Sequence, residues 1–137
     1  MLVYAHRADS EWHEAAARVV RVAAEGDDPW AIPWPCLHEF LAVVTHPRIF
    51  KTPTPLALAV AQVDAWFASP TLVHLAETTT YWMTLRALVE PARITGPRVH
   101  DAGIAAVRQS HAVTELWTAD RDFSAFPTLR VRNPLLP

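Results

Sequence analysis

The sequence predicts a single α/β domain, a short parallel sheet with helices on both faces. Three observations carry that expectation. Short β-compatible runs alternate with stretches whose apolar residues recur at helical spacing, and strands separated by helices pair in parallel with both sheet faces covered. The chain has 137 residues, enough to bury one sizeable core and too few for two. Hydrophobic residues make up 51% and charged residues 19%, a composition that excludes intrinsic disorder.

The elements follow in order. Leu2, Val3 and Tyr4 are β-compatible but few; a buried strand runs about 4–8 residues, so the first strand is read as shortened. Asp9 and Ser10 offer an N-cap, and Trp12, Ala15, Ala16, Val19, Val20 and Ala23 then share a helical face up to Gly26. Gly26-Asp27-Asp28-Pro29 is a turn. Trp30, Ala31 and Ile32 form a short strand ending at Pro33. Trp34-Pro35 opens a helix with proline in its first turn, Leu37, Phe40, Leu41 and Val44 make its buried stripe, and Pro47 ends it. Pro53-Thr54-Pro55 repeats the start signal, with Thr54 as cap and Pro55 at the first helical position. Leu56, Val60, Val63, Trp66 and Phe67 are the expected apolar face as far as Ser69-Pro70. Residues 71–75 have strand propensity, and Thr78, Thr79 and Thr80 can cap a helix through Trp82, Leu85 and Leu88. A loop containing Pro91, Gly96 and Pro97 leads to a helix over residues 99–110. Residues 113–118 alternate into a strand, and a short turn precedes Leu129, Arg130 and Val131. No internal repeat, linker or low-complexity stretch interrupts this order.

Several function classes fall away on composition. The net charge of −2 gives no basic excess for coating nucleic acid. Eleven of the twelve basic residues are Arg, which with heavy Ala usage fits a GC-rich genome better than selection for phosphate forks. Seven His residues include no HxH or HExxH spacing, and the single Cys36 provides neither a disulfide nor a CxxC zinc site. Three glycines form no phosphate-cradling loop. The six Trp residues fall mostly on helical faces and read as core or interface. No run of 18 apolar residues and no signal-peptide pattern occurs, so a cytoplasmic chain with no membrane partner is expected.

The informative feature is where three acidic residues fall. Glu39 lies early in the helix after the second strand, Asp101 in the first turn of the helix after Gly96-Pro97, and Asp120 just past the strand ending at Thr118. In an open parallel sheet, strand ends and the following helix starts line one edge, where ligands bind. Carboxylates gathered there repel unless a cation neutralises them, and hard oxygen ligands select Mg²⁺ or Mn²⁺. Such a metal suits phosphodiester hydrolysis, polarising a phosphoryl oxygen and acidifying a bound water. Each residue also has an ordinary reading. Asp101 can serve the helix dipole, Glu39 can be a solvated neighbour of the apolar stripe, and Asp120 and Asp122 can make an Asx turn around Arg121. Only convergence raises the functional reading above these.

These residues carry a family resemblance. LVYAHR at the start, PWPCLHEFLAVVTHPRIF in the first third, VHDAGIAA, and TELWTADRDFSAFPTLRVRNP at the end resemble the PIN-domain ribonucleases of the VapC type, the toxins of bacterial toxin–antitoxin pairs. The blocks span nearly the whole chain. The resemblance implies a PIN-like fold in which acidic residues hold a divalent ion, here Glu39, Asp101 and Asp120 with Asp122 as an auxiliary. Thr118 matches the hydroxyl residue before the last acidic position. It further implies Mg²⁺-dependent endonucleolytic cleavage of RNA, with Mn²⁺ as the alternative ion, homodimerisation, and inhibition by a cognate antitoxin. Arg7 and Arg121 are the expected phosphate contacts.

One position departs from the pattern. The family's first strand reads close to D-x-N-x-L-V-Y, and its Asp is a central metal ligand. Met1 stands at the residue before Leu2-Val3-Tyr4, which puts that Asp three residues ahead of Met1, and Asp9 lies too far along to replace it. A Met where Val is common fits a GTG start codon read as the beginning, so the coding sequence is expected to extend upstream. The rival expectation is a degenerate, non-catalytic PIN module that binds antitoxin or dimerises.

Overall fold

Six α-helices, four short strands and one 3₁₀ helix make up the described residues, 1–126 and 129–136, of this computed structural model. Their mixed order is the α/β class read from the sequence. The chain forms two units, Met1–His74 and Leu75–Pro137. Pro127 and Thr128 of the expected final turn, and Pro137, lie outside the described residues.

The first unit opens with α1 (Leu2–His6), which corrects the expected shortened strand. The amide of Ala5 donates to the Met1 carbonyl at 3.0 Å and that of Arg7 to the Val3 carbonyl at 2.9 Å. Three β-compatible residues carry little intrinsic preference, since the whole strand-propensity scale spans only about 1 kcal/mol. A helical turn instead packs Leu2 and Val3 against the core and sets the His6 ring edge-on to Phe40, with centroids 5.2 Å apart. Packing decides this element.

α2 (His13–Glu25) follows and stops at Gly26 as expected. Its start is one turn later than the Asp9-Ser10 cap signal. The Ser10 hydroxyl accepts from the Trp12 amide at 3.2 Å, a local turn ahead of the helix rather than a cap within it. β1 (Trp30–Pro33) then pairs with β2 (Leu72–Leu75) in a two-stranded sheet.

Between them stand α3 (Trp34–Val44) and α4 (Leu56–Phe67). α3 carries Pro35 in its first turn and buries Leu37, Phe40 and Val44 of the predicted stripe, whereas Leu41, its fourth member, is half-buried against the same core. Thr45 closes it, the hydroxyl donating to the Leu41 carbonyl at 2.6 Å. With Ile32, Ala59 and Trp66 these side chains form the core of the unit, and the Phe40 and Trp66 rings meet edge-on at 4.8 Å.

α4 departs from expectation twice. Its N-cap is Pro55, while the Thr54 amide donates to the Val44 carbonyl at 2.8 Å and its hydroxyl accepts from Arg7 Nη1 at 3.3 Å. Its buried face centres on Ala59 and Trp66, leaving Leu56 65% and Val60 43% exposed. LALAVAQVDAWF is apolar almost all round, so periodicity cannot select the inward face. The fit of small Ala59 against α3 does.

In the second unit α5 (Tyr81–Ala92) and α6 (Arg98–Ser110) are the long elements. Thr80 is the N-cap residue of α5, its hydroxyl engaged with that of Thr78 at 3.1 Å. Pro91, expected in the loop, lies in the last turn of α5, and Arg93 ends the helix in the left-handed conformation at φ 50°. α6 buries six consecutive residues, Ala102 to Val107. A Cβ added at Gly103 would come within 2.9 Å of the Tyr81 hydroxyl, so the missing side chain sets how closely that ring approaches.

β3 (Leu116–Trp117) is shorter than the predicted strand over 113–118. It pairs in parallel with β4 (Val131–Arg132), Leu116 opposite Val131 and Trp117 opposite Arg132. The 3₁₀ helix Arg121–Ala125 lies between them. Among the described residues no helix is long and apolar enough to cross a membrane.

Candidate functional site

Glu39 belongs to the first unit and stands exposed on α3, between two residues of the buried stripe, Leu37 and Phe40. The stripe fixes the rotation of α3 and thereby turns Glu39 outward. One turn earlier, the Cys36 thiol is pushed up to about 12, first by burial and then by the Glu39 charge. That thiol stays protonated at neutral pH, so it is no nucleophile.

Asp101 belongs to the second unit, half-buried in the first turn of α6 directly before the buried run. An acidic side chain is stabilised there by the helix dipole, and backbone amides at the same end favour a second anion nearby.

Asp120 lies three residues beyond Trp117, exposed, at the start of the 3₁₀ helix. Its amide donates to the Thr118 hydroxyl at 3.1 Å, and its Oδ1 accepts from the Asp122 amide at 2.9 Å. Thr118, Asp120 and Asp122 are therefore brought together in one turn, and Arg121 is exposed between the two carboxylates. The Asx turn read from the sequence is present, and its one bond engages Oδ1 of Asp120 alone.

Arg7 is placed differently. Its Nε and Nη2 donate to the two oxygens of Asp9 at 2.8 and 2.5 Å, and Nη1 donates to the Thr52 carbonyl at 2.9 Å. The guanidinium also lies 4.0 Å from the centroid of the Phe50 ring, and the side chain is 11% exposed. The hydrogen bond from Arg7 holds the Asp9 carboxyl below its usual range. These residues border an open cleft of about 300 Å³ that also takes in Tyr4, Glu11 and Trp12. Within neither unit, among the described residues, do three or more His, Cys, Asp or Glu side chains gather at metal-holding distance.

A group that the sequence reading passed over stands directly before β3, five residues ahead of Asp120. Glu115 accepts from the Trp117 indole at 2.6 Å and pairs with Arg130 and Arg132 at 3.3 and 3.9 Å. Its signal in the sequence is the period of two, Glu115 with Trp117 and Arg130 with Arg132, which puts each pair on one face of its strand.

The α/β order, with acidic residues on α3, at the start of α6 and just past β3, is that of a PIN-like fold. No protein-family model matches the chain. Individual proteins do. Ribonuclease VapC43 of Mycobacterium tuberculosis (strain ATCC 25618 / H37Rv) is 37% identical over 135 residues, 98% of this chain and 91% of that protein. Ribonuclease VapC31 of the same strain is 35% identical over 138 residues, covering 98% and 95%. Ribonuclease VapC48 is 29% identical over 134 residues, covering 98% and 92%. The chain belongs to the VapC ribonuclease family.

Proposed function

We propose that this chain is an Mg²⁺-dependent endoribonuclease, the toxin of a type II toxin–antitoxin pair, active as a homodimer and restrained by a cognate antitoxin. The observation that carries this reading is likeness to VapC ribonucleases across 98% of the chain at 35% and 37% identity. Glu39, Asp101 and Asp120 supply an all-oxygen, acidic donor set, which suits Mg²⁺ or Mn²⁺ and not a softer ion. When bound, such an ion offsets the charge of a scissile phosphate and acidifies a water.

The chain's own residues have distinct tasks in this reading. Asp101 is a direct ligand, and the α6 N-terminus beside it also favours the phosphate. Asp120 ligates directly or through water, oriented by its bond from the Asp122 amide and by Thr118. Glu39 orients or deprotonates the attacking water. Arg121 is exposed and meets the RNA backbone, whereas Arg7 would have to give up Asp9 to do so.

The test incubates the purified chain with a labelled single-stranded RNA in Mg²⁺ and in EDTA. Cleavage is expected in Mg²⁺ alone, lost in Asp101→Asn and reduced about 10²–10⁴-fold in Glu39→Gln. Cleavage that survives Asp101→Asn overturns the ligand assignment. A chain that binds its antitoxin but never cleaves is instead a non-catalytic binding module.

A further inference from the structure

We infer that the outer face of the β3–β4 ladder is an RNA-holding surface, on which Trp117 stacks one base and Arg130 and Arg132 contact phosphates, with Asp120 three residues beyond the end of β3. This rests on the ribonuclease reading and adds to it where the substrate strand lies.

The parallel register sets Trp117 opposite Arg132. Residues two apart on a strand share a face, so Glu115 and Trp117 on one side meet Arg130 and Arg132 on the other. The contacts agree. Glu115 accepts from the Trp117 indole at 2.6 Å and pairs with both arginines, and the Arg132 guanidinium stands 6.0 Å from the Trp117 ring centroid. Glu115 is thus the carboxylate that orients three side chains at once.

Those side chains face solvent. Trp117 is 41% exposed, and the Arg130 and Arg132 side chains are 78% and 62% exposed. An indole buried for packing would hide its ring, and its N–H is already held, so what remains outward is apolar π-surface. Bases stack on such a surface without sequence preference, and an adjacent guanidinium adds cation–π attraction. Two arginines two residues apart on a parallel strand stand about 6.6 Å apart, which suits successive phosphates of an extended strand. Asp120, Asp122 and Glu115 oppose Arg121, Arg130 and Arg132 here. Neutralisation of Asp120 by a bound cation would tip the local balance to positive, which favours a polyanion over an acidic peptide lacking bases.

The experiment measures binding of a fluorescein-labelled twelve-nucleotide single-stranded RNA to the full chain with Ca²⁺ in place of Mg²⁺, then cleavage in Mg²⁺. Trp117→Ala should weaken binding about 5- to 150-fold, the value of one base–aromatic stack, and Trp117→Phe should restore most of it. Trp82→Ala, which removes a Trp 64% exposed on α5, should bind as the parent does. In Arg130→Gln/Arg132→Gln the slope of log affinity against log salt should shrink by about 1.4, two phosphate contacts at about 0.7 each. In cleavage, KM should rise with kcat kept, the mark of lost uniform binding. If Trp117→Ala and the double Arg variant bind and cleave as the parent does, this surface is not used while the ribonuclease reading stands. If the parent chain neither binds nor cleaves RNA, both fall.

Discussion

Cys36 shows how one half-buried residue reports on its neighbour. Its thiol is pushed up to about 12 from an ordinary 9.0, by burial first and then by Glu39. The unfolded chain therefore ionises this group at lower pH than the folded one. The preference for the folded state is complete below pH 9 and is lost as pH rises from 9 toward 12. Tyr81 acts in the same direction at higher pH, raised by burial and then by Glu77. Thermal melts at pH 8 and pH 10 should show the stability difference between the parent and Cys36→Ser shrinking at the higher pH. A difference that grows would contradict the raised thiol. Glu39→Gln should lower the thiol's pKa while leaving it above 9, readable from the pH dependence of alkylation. That links the outward carboxylate of α3 to the packing beneath it.

At the level of elements, α3 and α6 hold their units together by different means. α3 relies on large side chains: Phe40 is 1% exposed and touches the rings of His6 and Trp66. Phe40→Ala should cost about 3–5 kcal/mol, a large part of a total of about 5–15 kcal/mol, and a urea titration should show the midpoint fall accordingly. α6 relies on small ones, and Gly103 is the limiting case. Alanine at a helix interior gains about 0.5–1 kcal/mol over glycine, but here its Cβ would meet the Tyr81 hydroxyl at 2.9 Å. Gly103→Ala alone should therefore give no gain, whereas in a Tyr81→Phe background it should stabilise by about 0.5–1 kcal/mol. Equal effects in both backgrounds would show that the hydroxyl does not limit the helix. The pattern of α3 was legible in the sequence because its large residues Leu37, Phe40 and Val44 recur at helical spacing, with His38 and Glu39 between them marking the outer side. That of α4 was not, because its buried face includes small Ala59 while large Leu56, Leu58 and Val60 stay exposed.

For the whole molecule, the proposed cation connects folding to activity. A ligand at 100 times its Kd that binds only the folded state stabilises by about 2.7 kcal/mol. Mg²⁺ should raise the melting temperature of the parent chain, EDTA should remove the rise, and Asp101→Asn should abolish it. A rise of equal size in Asp101→Asn would place the ion elsewhere. The net charge of −2 makes long-range attraction of RNA weak, so binding depends on local groups such as Arg121, Arg130 and Arg132.

The sequence by itself determined the α/β class, the order of the elements from α2 onward, the ends of α2 and α3, and the family. These depend on local signals: apolar spacing, proline at helix starts, glycine after helix ends. It also marked Glu39, Asp101 and Asp120, because acidic residues at strand ends and helix starts stand out against an apolar pattern. Tertiary structure alone decided that residues 2–6 are helical, that α4 faces inward through Ala59, and that β3 and β4 shrink to two residues each. It also tied Arg7 to the Thr52 carbonyl and set Trp117 against Arg132. The physical reason is common to all five. Intrinsic propensities differ by only about 1 kcal/mol, so contacts between residues far apart in the chain outweigh them. Which residues meet is a property of register and packing, and neither is written at a single position.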